Sequence, residues 1–263
     1  MGKVIAIANQ KGGVGKTTTC TNLAASLAAT RHRVLLIDFD PQGNATMGSG
    51  VDKNAFGHLG YEVVMGLTPF EEAIQRPEEA GYDVLPANGD LTAAEVELMS
   101  RTRREQHLRD LLAPLRDAYD YLLIDCPPSL NMLTLNALVA ADSVLIPIQC
   151  EYYALEGLSS LLQTIDNVRS SVNPGLEIEG LLRTMHDPRN NLANDVSAQL
   201  LEHFGDKVYR TIIPRNIRLA EAPSYGVPVL GYDKTSRGAL AYLSLAGEML
   251  RRSASAGHAQ AVA

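Results

Sequence analysis

Short apolar runs alternate with longer amphipathic stretches along most of this chain. The runs Val4–Ala8, Val34–Asp38, Tyr82–Pro86, Tyr121–Asp125, Ser143–Gln149, Glu179–Thr184 and Val208–Ile213 are rich in β-branched residues and predict strands. Three of them, VLLID, YLLID and VLIPI, are apolar almost without interruption, the pattern of strands covered by helices on both faces. Between the runs, helical spacing marks Lys16–Ala29, Glu95–Ala113, Leu130–Ala140, Leu155–Ser171 and Asn194–Phe204, with a last helix from about Ser236 to Arg252. Strand and helix in alternation predict an α/β fold, a single doubly wound domain over residues 1–252 with a mainly parallel sheet. The Ala/Ser-rich end, 253–263, reads as a disordered tail, and Val51–Tyr82 as a surface excursion without a motif. Arg31-His32 stands where a helix-ending glycine is the usual choice, a local cost of about 1 kcal/mol.

Composition changes this picture little. Of 263 residues, 46% are hydrophobic and 20% charged, enough to bury a sizeable core. No apolar run reaches the roughly 18 residues of a membrane span, and the N-terminus lacks a signal-peptide pattern. Cys20, Cys126 and Cys150 are too scattered for a disulfide framework or a four-ligand metal site, and read as reduced thiols. The net charge of −7 is uneven: residues 1–180 hold 13 Lys+Arg against 23 Asp+Glu, whereas 181–263 hold 10 against 7. That asymmetry leaves room for a local basic patch on an acidic protein.

The chemistry starts between the first strand and the first helix, in Lys11-Gly12-Gly13-Val14-Gly15-Lys16-Thr17-Thr18. Glycines let backbone N–H groups turn inward on phosphates, and a helix N-terminus adds partial positive charge. Lys16 is placed to reach the β- and γ-phosphates of ATP, and the Thr17 hydroxyl to take one position on Mg²⁺. Phosphoryl transfer also requires carboxylates nearby, and Asp38, Asp40 and Asp125 follow apolar strands in IDFDPQGNAT and YLLIDCPPSL. There they stand at the C-terminal sheet edge, where open α/β sheets bind ligands.

The loop departs from G-x-x-x-x-G-K-[ST] by carrying Gln10 in place of the first glycine and an extra lysine, Lys11. This deviant Walker A form resembles the ParA/MinD group of P-loop ATPases. The resemblance implies an ATP-sandwiched homodimer in which Lys11 reaches the nucleotide of the other subunit. It implies that Asp40 organises the attacking water, that Asp125 meets Mg²⁺ through water, and that Asp38 is a supporting acid at the metal. The runs QCEYYALEGL (149–158), VYRTIIPRNIRLAEAPSYGVPV (208–229) and SRGALAYLSLA (236–246) are similar to the chromosomal ParA (Soj) branch. That similarity places Pro214 and Asn216 near the adenine and Glu151 near the partner's ribose. It also implies non-specific binding of double-stranded DNA, a centromere-binding ParB-type partner that stimulates hydrolysis, and a cytoplasmic protein associated with the nucleoid when ATP-bound.

For DNA, Arg189, Arg215 and Arg218 stand in loop-like contexts of the basic C-terminal third. Arg189 and Arg218 match positions that the resemblance links to DNA, and neither has an acidic residue four positions away. Arg215, between Pro214 and Asn216, could serve the adenine site instead. The basic amphipathic membrane helix that ends the MinD branch has no counterpart after Arg251 and Arg252, so no membrane partner is expected. Two other readings compete: a nucleotide-gated scaffold that positions another cargo, and an electron donor like the nitrogenase iron protein, which would need paired cysteines.

Overall fold

The computed structural model describes residues 1–54, 57, 59–152 and 154–261. Tyr153 of the QCEYYALEGL run, Ala55, Phe56 and His58 of the expected excursion, and the last two residues of the expected tail lie outside the described residues. All seven predicted strands form: β1 (Lys3–Ile7), β2 (Val34–Asp38), β3 (Asp83–Leu85), β4 (Tyr121–Asp125), β5 (Ser143–Gln149), β6 (Glu177–His186) and β7 (Val208–Pro214). They make one sheet in the order β3-β2-β4-β1-β5-β6-β7, and every neighbouring pair is parallel.

Side chains alternate across the sheet, so each strand feeds two cores. Val4 and Ala6 of β1 join one apolar cluster, whereas Ile5 and Ile7 join the other. Helices Met132–Ala140 and Ala154–Ser171 cover the first face through Leu133, Leu138, Leu161 and Ile165. Helices Lys16–Ala29 and Arg237–Ala261 cover the second through Leu23, Leu27, Tyr242 and Leu245. The parallel register has one chemical consequence. Asp38 lies opposite Asp125 at the shared C-terminal ends of β2 and β4, and Asp125 lies opposite Ile7, where β1 opens into the glycine loop.

Three expectations change. The segment 51–82 is not a surface excursion: it folds into helices Gly60–Met65 and Phe70–Ala73, which bury Val63, Val64, Met65, Phe70 and Ala73 in the first core. Helices of six and four residues are too short for a 3.6-residue period to show. The predicted helix Glu95–Ala113 is two, Leu91–Leu98 and His107–Leu112. Between them the Ser100 hydroxyl bonds back to the Glu97 carbonyl, and Arg103 takes a left-handed φ of 53°. The last helix is Arg237–Ala261 and passes Arg252, where the sequence pattern placed its end, through a proline-free stretch that nothing in the sequence breaks sharply. At Arg31 the φ is 68°, the left-handed conformation for which glycine is the usual choice.

Candidate functional site: a phosphate loop facing a carboxylate edge

The loop after β1 is tied down at both ends by side chains that no motif marks. Asn9 accepts the Lys11 amide on Oδ1 (3.0 Å) and donates through Nδ2 to the Pro147 carbonyl of β5 (2.8 Å). The Thr184 hydroxyl at the end of β6 donates to the Val14 carbonyl (2.8 Å). Between these anchors Gly13 and Gly15 take φ of 74° and 86°, which glycine adopts without strain. Gly15 thereby caps helix Lys16–Ala29 with the N–H groups of its first turn open to the loop.

The loop forms one wall of a cleft of about 480 Å³. Gly12, Gly13, Gly15, Lys16, Thr17 and Thr18 line that wall, and Asp40 stands in the same cleft. Pro214, Arg215, Asn216 and Met185 also line it. Sequence separation from Gly12 to Asn216 is most of the chain, yet both line one cleft because β1 and β7 end on the same edge of one parallel sheet. Thr184, Gln42, Asn44 and Tyr242 line the cleft as well; Thr184 and Met185 carry no motif in the sequence, whereas Gln42, Asn44 and Tyr242 lie in runs already singled out, without a role of their own. Only Met185 has a local signal, a left-handed φ of 49°, and that is a property of the fold.

Lys16 is buried, and its ammonium reaches the Lys11 carbonyl at 3.3 Å. Burial lowers its pKa, against the opposing charges of Asp125 and Asp40. Asp40 is largely buried and accepts the Gln42 amide at 3.0 Å, which turns the chain back toward the loop. Asp125 is wholly buried, and neither of its oxygens accepts a well-formed hydrogen bond. Burial and the Asp38 charge push its carboxyl well above the usual range, with the Thr17 hydroxyl and Lys16 pulling the other way. Two orphaned buried acceptors beside Thr17 fit a hydrated cation, whose waters are donors, and Mg²⁺ characteristically keeps several waters.

Asp38, the supporting acid expected at the metal, is engaged within the protein. Its Oδ2 accepts both the amide and the hydroxyl of Thr46 (2.7 Å each), and its Oδ1 accepts the Asp40 amide (3.2 Å). Thr46 in turn accepts the Ala87 amide at 2.8 Å. Asp38 thus braces the 38–46 loop that carries Asp40, and burial raises its pKa to about 6.

Two residues that the resemblance assigns to the partner's nucleotide stand together outside this cleft. Lys11 and Glu151 do not line the cleft; they pair with each other at 2.6 Å. The DNA arginines also differ from expectation. Arg189 is clamped by Asp187 through Nε (2.9 Å) and Nη2 (2.8 Å), and Arg218 pairs with Glu221 (2.8 Å) and Asp233 (3.4 Å). Their carboxylate partners lie two or three residues along the chain or across a loop, outside the i±4 spacing. Arg215 lines the cleft. The three cysteines are buried free thiols.

The AAA domain family matches residues 2–178 of this chain. A Caulobacter vibrioides protein named chromosome partitioning protein ParA is 53% identical over 95% of this chain and 94% of its own. The sporulation initiation inhibitor protein Soj of Bacillus subtilis is 52% identical over 95% and 98%. Among solved structures, cobyrinic acid a,c-diamide synthase from Mycobacterium smegmatis with bound ADP and magnesium superposes with a TM-score of 0.85, at 39% identity and 97% coverage of both chains.

Proposed function

The chain belongs to the ParA/Soj family of P-loop partition ATPases, and from that premise we propose that it is an ATP-driven switch whose nucleotide-bound dimer holds DNA until hydrolysis releases it. It is an ATPase that uses ATP and Mg²⁺ and serves in partition. Dimerisation, DNA binding and stimulation by a ParB-type partner are the proposed parts. So are a cytoplasmic location and association with the nucleoid in the ATP state. Among the described residues, no helix is long and apolar enough to cross a membrane.

One observation carries the reading: the side chain of Lys11 lies outside its own cleft, in the reach of Glu151, while Lys16 alone supplies the cleft's lysine. A loop lysine whose side chain stays out of its own cleft suits a cation meant for another subunit's phosphates.

Within one site, the backbone N–H groups around Gly13 and Gly15 would cradle the phosphates, and Lys16 would neutralise charge between β and γ. Thr17, and Asp125 through water, would hold Mg²⁺, which when bound screens the phosphate oxygens. Asp40 would accept a hydrogen bond from the attacking water and align it with the γ-phosphorus. Bond formation to that oxygen and cleavage to the β-bridging oxygen leave ADP and phosphate. Lys11 of the second subunit would add a donor where charge develops, as an arginine finger does. Pro214 and Asn216 would flank the adenine. Pairing two protomers makes the second DNA contact intramolecular, so duplex affinity should require ATP.

Size-exclusion chromatography with ATP, ADP or no nucleotide tests the switch, with turnover measured with and without DNA and a ParB-type basic peptide. An ATP-specific dimer with stimulated turnover is expected. A chain that stays monomeric in ATP, or that binds duplex equally without nucleotide, would overturn the reading.

A further inference from the structure

Arg31 apart, the described lysines and arginines whose side chains make no ion pair or hydrogen bond are Arg210, Arg215, Lys234, Arg237 and Arg251. Every other described cation is bonded, including Arg189 and Arg218. The free ones are not scattered. They belong to edge strand β7, the segment after it, and the last helix, which packs along that strand.

The packing explains why this edge is left cationic. Glu248 of the last helix is buried and turned inward, where it accepts the Arg210 amide (2.9 Å), the Thr211 amide (2.8 Å) and the Thr211 hydroxyl (2.7 Å). Arg252 spans the same edge, donating to the Asp206 and Val208 carbonyls (2.9 Å each) and to Glu248 (2.7 Å). This pair satisfies the open backbone of β7, as a further strand otherwise would. It also removes the helix's only acid from the surface. The outward stripe of the helix then reads Arg237, Leu240, Ser244, Gly247 and Arg251, at helical spacing and without a carboxylate. Arg210 and Arg251 flank a groove of about 830 Å³ floored by Ser244 and Gly247, in which Asp206 is the exposed acid.

We propose that this β7–last-helix edge, through Arg210, Arg237 and Arg251, is a phosphate-contact surface for the backbone of double-stranded DNA. The inference rests on the DNA reading above and says which face makes the contact. Arg237 and Arg251 stand roughly 21 Å apart along the helix axis. Duplex DNA carries one charge per ~1.7 Å of its axis, so a stripe of that length faces several phosphates. Ser244 and Gly247, between the arginines, leave room for a sugar–phosphate backbone to approach closely. An unpaired arginine gains a phosphate without first surrendering a carboxylate, an advantage that Arg189 and Arg218 lack.

The test is binding of the full chain with ATP to a labelled duplex across a salt series. Wild type is compared with Arg210→Ala/Arg237→Ala/Arg251→Ala and with Arg31→Asn. The three arginines are exposed, unbonded and outside the nucleotide cleft, so the triple variant should keep its ATP-dependent dimer and its DNA-independent turnover. Its log affinity against log salt should flatten by about 0.9 for each phosphate that is no longer neutralised, with affinity at moderate salt down by about tenfold or more. Arg31→Asn, which keeps a side chain tolerant of the left-handed backbone, should match wild type. A triple variant with wild-type slope and affinity overturns this inference and leaves the DNA reading standing. An equal drop in Arg31→Asn would overturn it too, since any surface cation would then serve. Failure of the wild type to bind duplex with ATP sinks the DNA reading itself, and this inference with it.

Discussion

Lys11 and Glu151 form a 2.6 Å ion pair across 140 residues of sequence. Their side chains are 35% and 48% exposed. A pair so open to solvent contributes about 0–1 kcal/mol, so it can yield to a stronger partner. Phosphates presented by a second protomer are such a partner for Lys11.

The two loop lysines should therefore fail differently. Lys16→Ala removes the buried cation of the cleft and should abolish ATP binding in a direct titration. Lys11→Ala should bind the first ATP with near wild-type affinity, yet lose ATP-driven dimerisation in size-exclusion chromatography and hydrolyse little. Equal loss of ATP affinity in both variants would contradict separate roles.

Asp40 stands in the cleft on a loop that Asp38 and Thr46 brace, so its replacement leaves the phosphate wall untouched. Asp40→Ala should bind ATP and dimerise but turn over at least about a hundredfold more slowly, the usual scale for losing a positioned base. A variant that stays monomeric with ATP would show that Asp40 serves assembly instead of the water.

A Cβ on Gly12 meets nothing within 4 Å in the protomer. Gly12→Val should consequently fold and bind ATP, with a melting temperature within a few degrees of wild type. Its branched side chain would project where a second loop must approach. The expected species in ATP is a monomer; an ATP-dependent dimer would rule out close loop-to-loop contact.

Glu248 supplies the pH prediction. Burial pushes its carboxyl up, but bonds from the Arg210 and Thr211 amides, the Thr211 hydroxyl and Arg252 outweigh that and hold its pKa below the usual value. A carboxyl depressed on folding adds stability that is present above its unfolded pKa and is lost as pH falls through the folded one. Thermal unfolding across pH 3–7 should show wild type losing this increment below about pH 4.5. Glu248→Ala should be less stable by about 1–3 kcal/mol at neutral pH, since it leaves donors unpaired, and should lack that acid-dependent component. Parallel pH profiles for the two proteins would show that Glu248 contributes nothing beyond packing.

The sequence by itself determined the elements long or apolar enough for their period to show, and missed short helices such as Gly60–Met65 and Phe70–Ala73. Seven apolar runs became seven strands, and Lys16–Ala29 became the helix behind the loop, because periodicity and glycine punctuation act over a few residues. The glycine loop and the three aspartates were legible for the same reason. Tertiary structure decided which of these groups share charge and which bind. The register of β2 against β4 sets Asp38 opposite Asp125; Thr46 then consumes the first carboxylate, while the second remains orphaned. Loop composition cannot reveal that Lys11 meets Glu151, or that Arg189 and Arg218 are neutralised while Arg210 and Arg251 are not. Partnership between ions depends on distances of a few ångströms, set for Lys11 and Glu151 by segments far apart in the chain and for Arg189 and Arg218 by the local backbone conformation that the fold imposes.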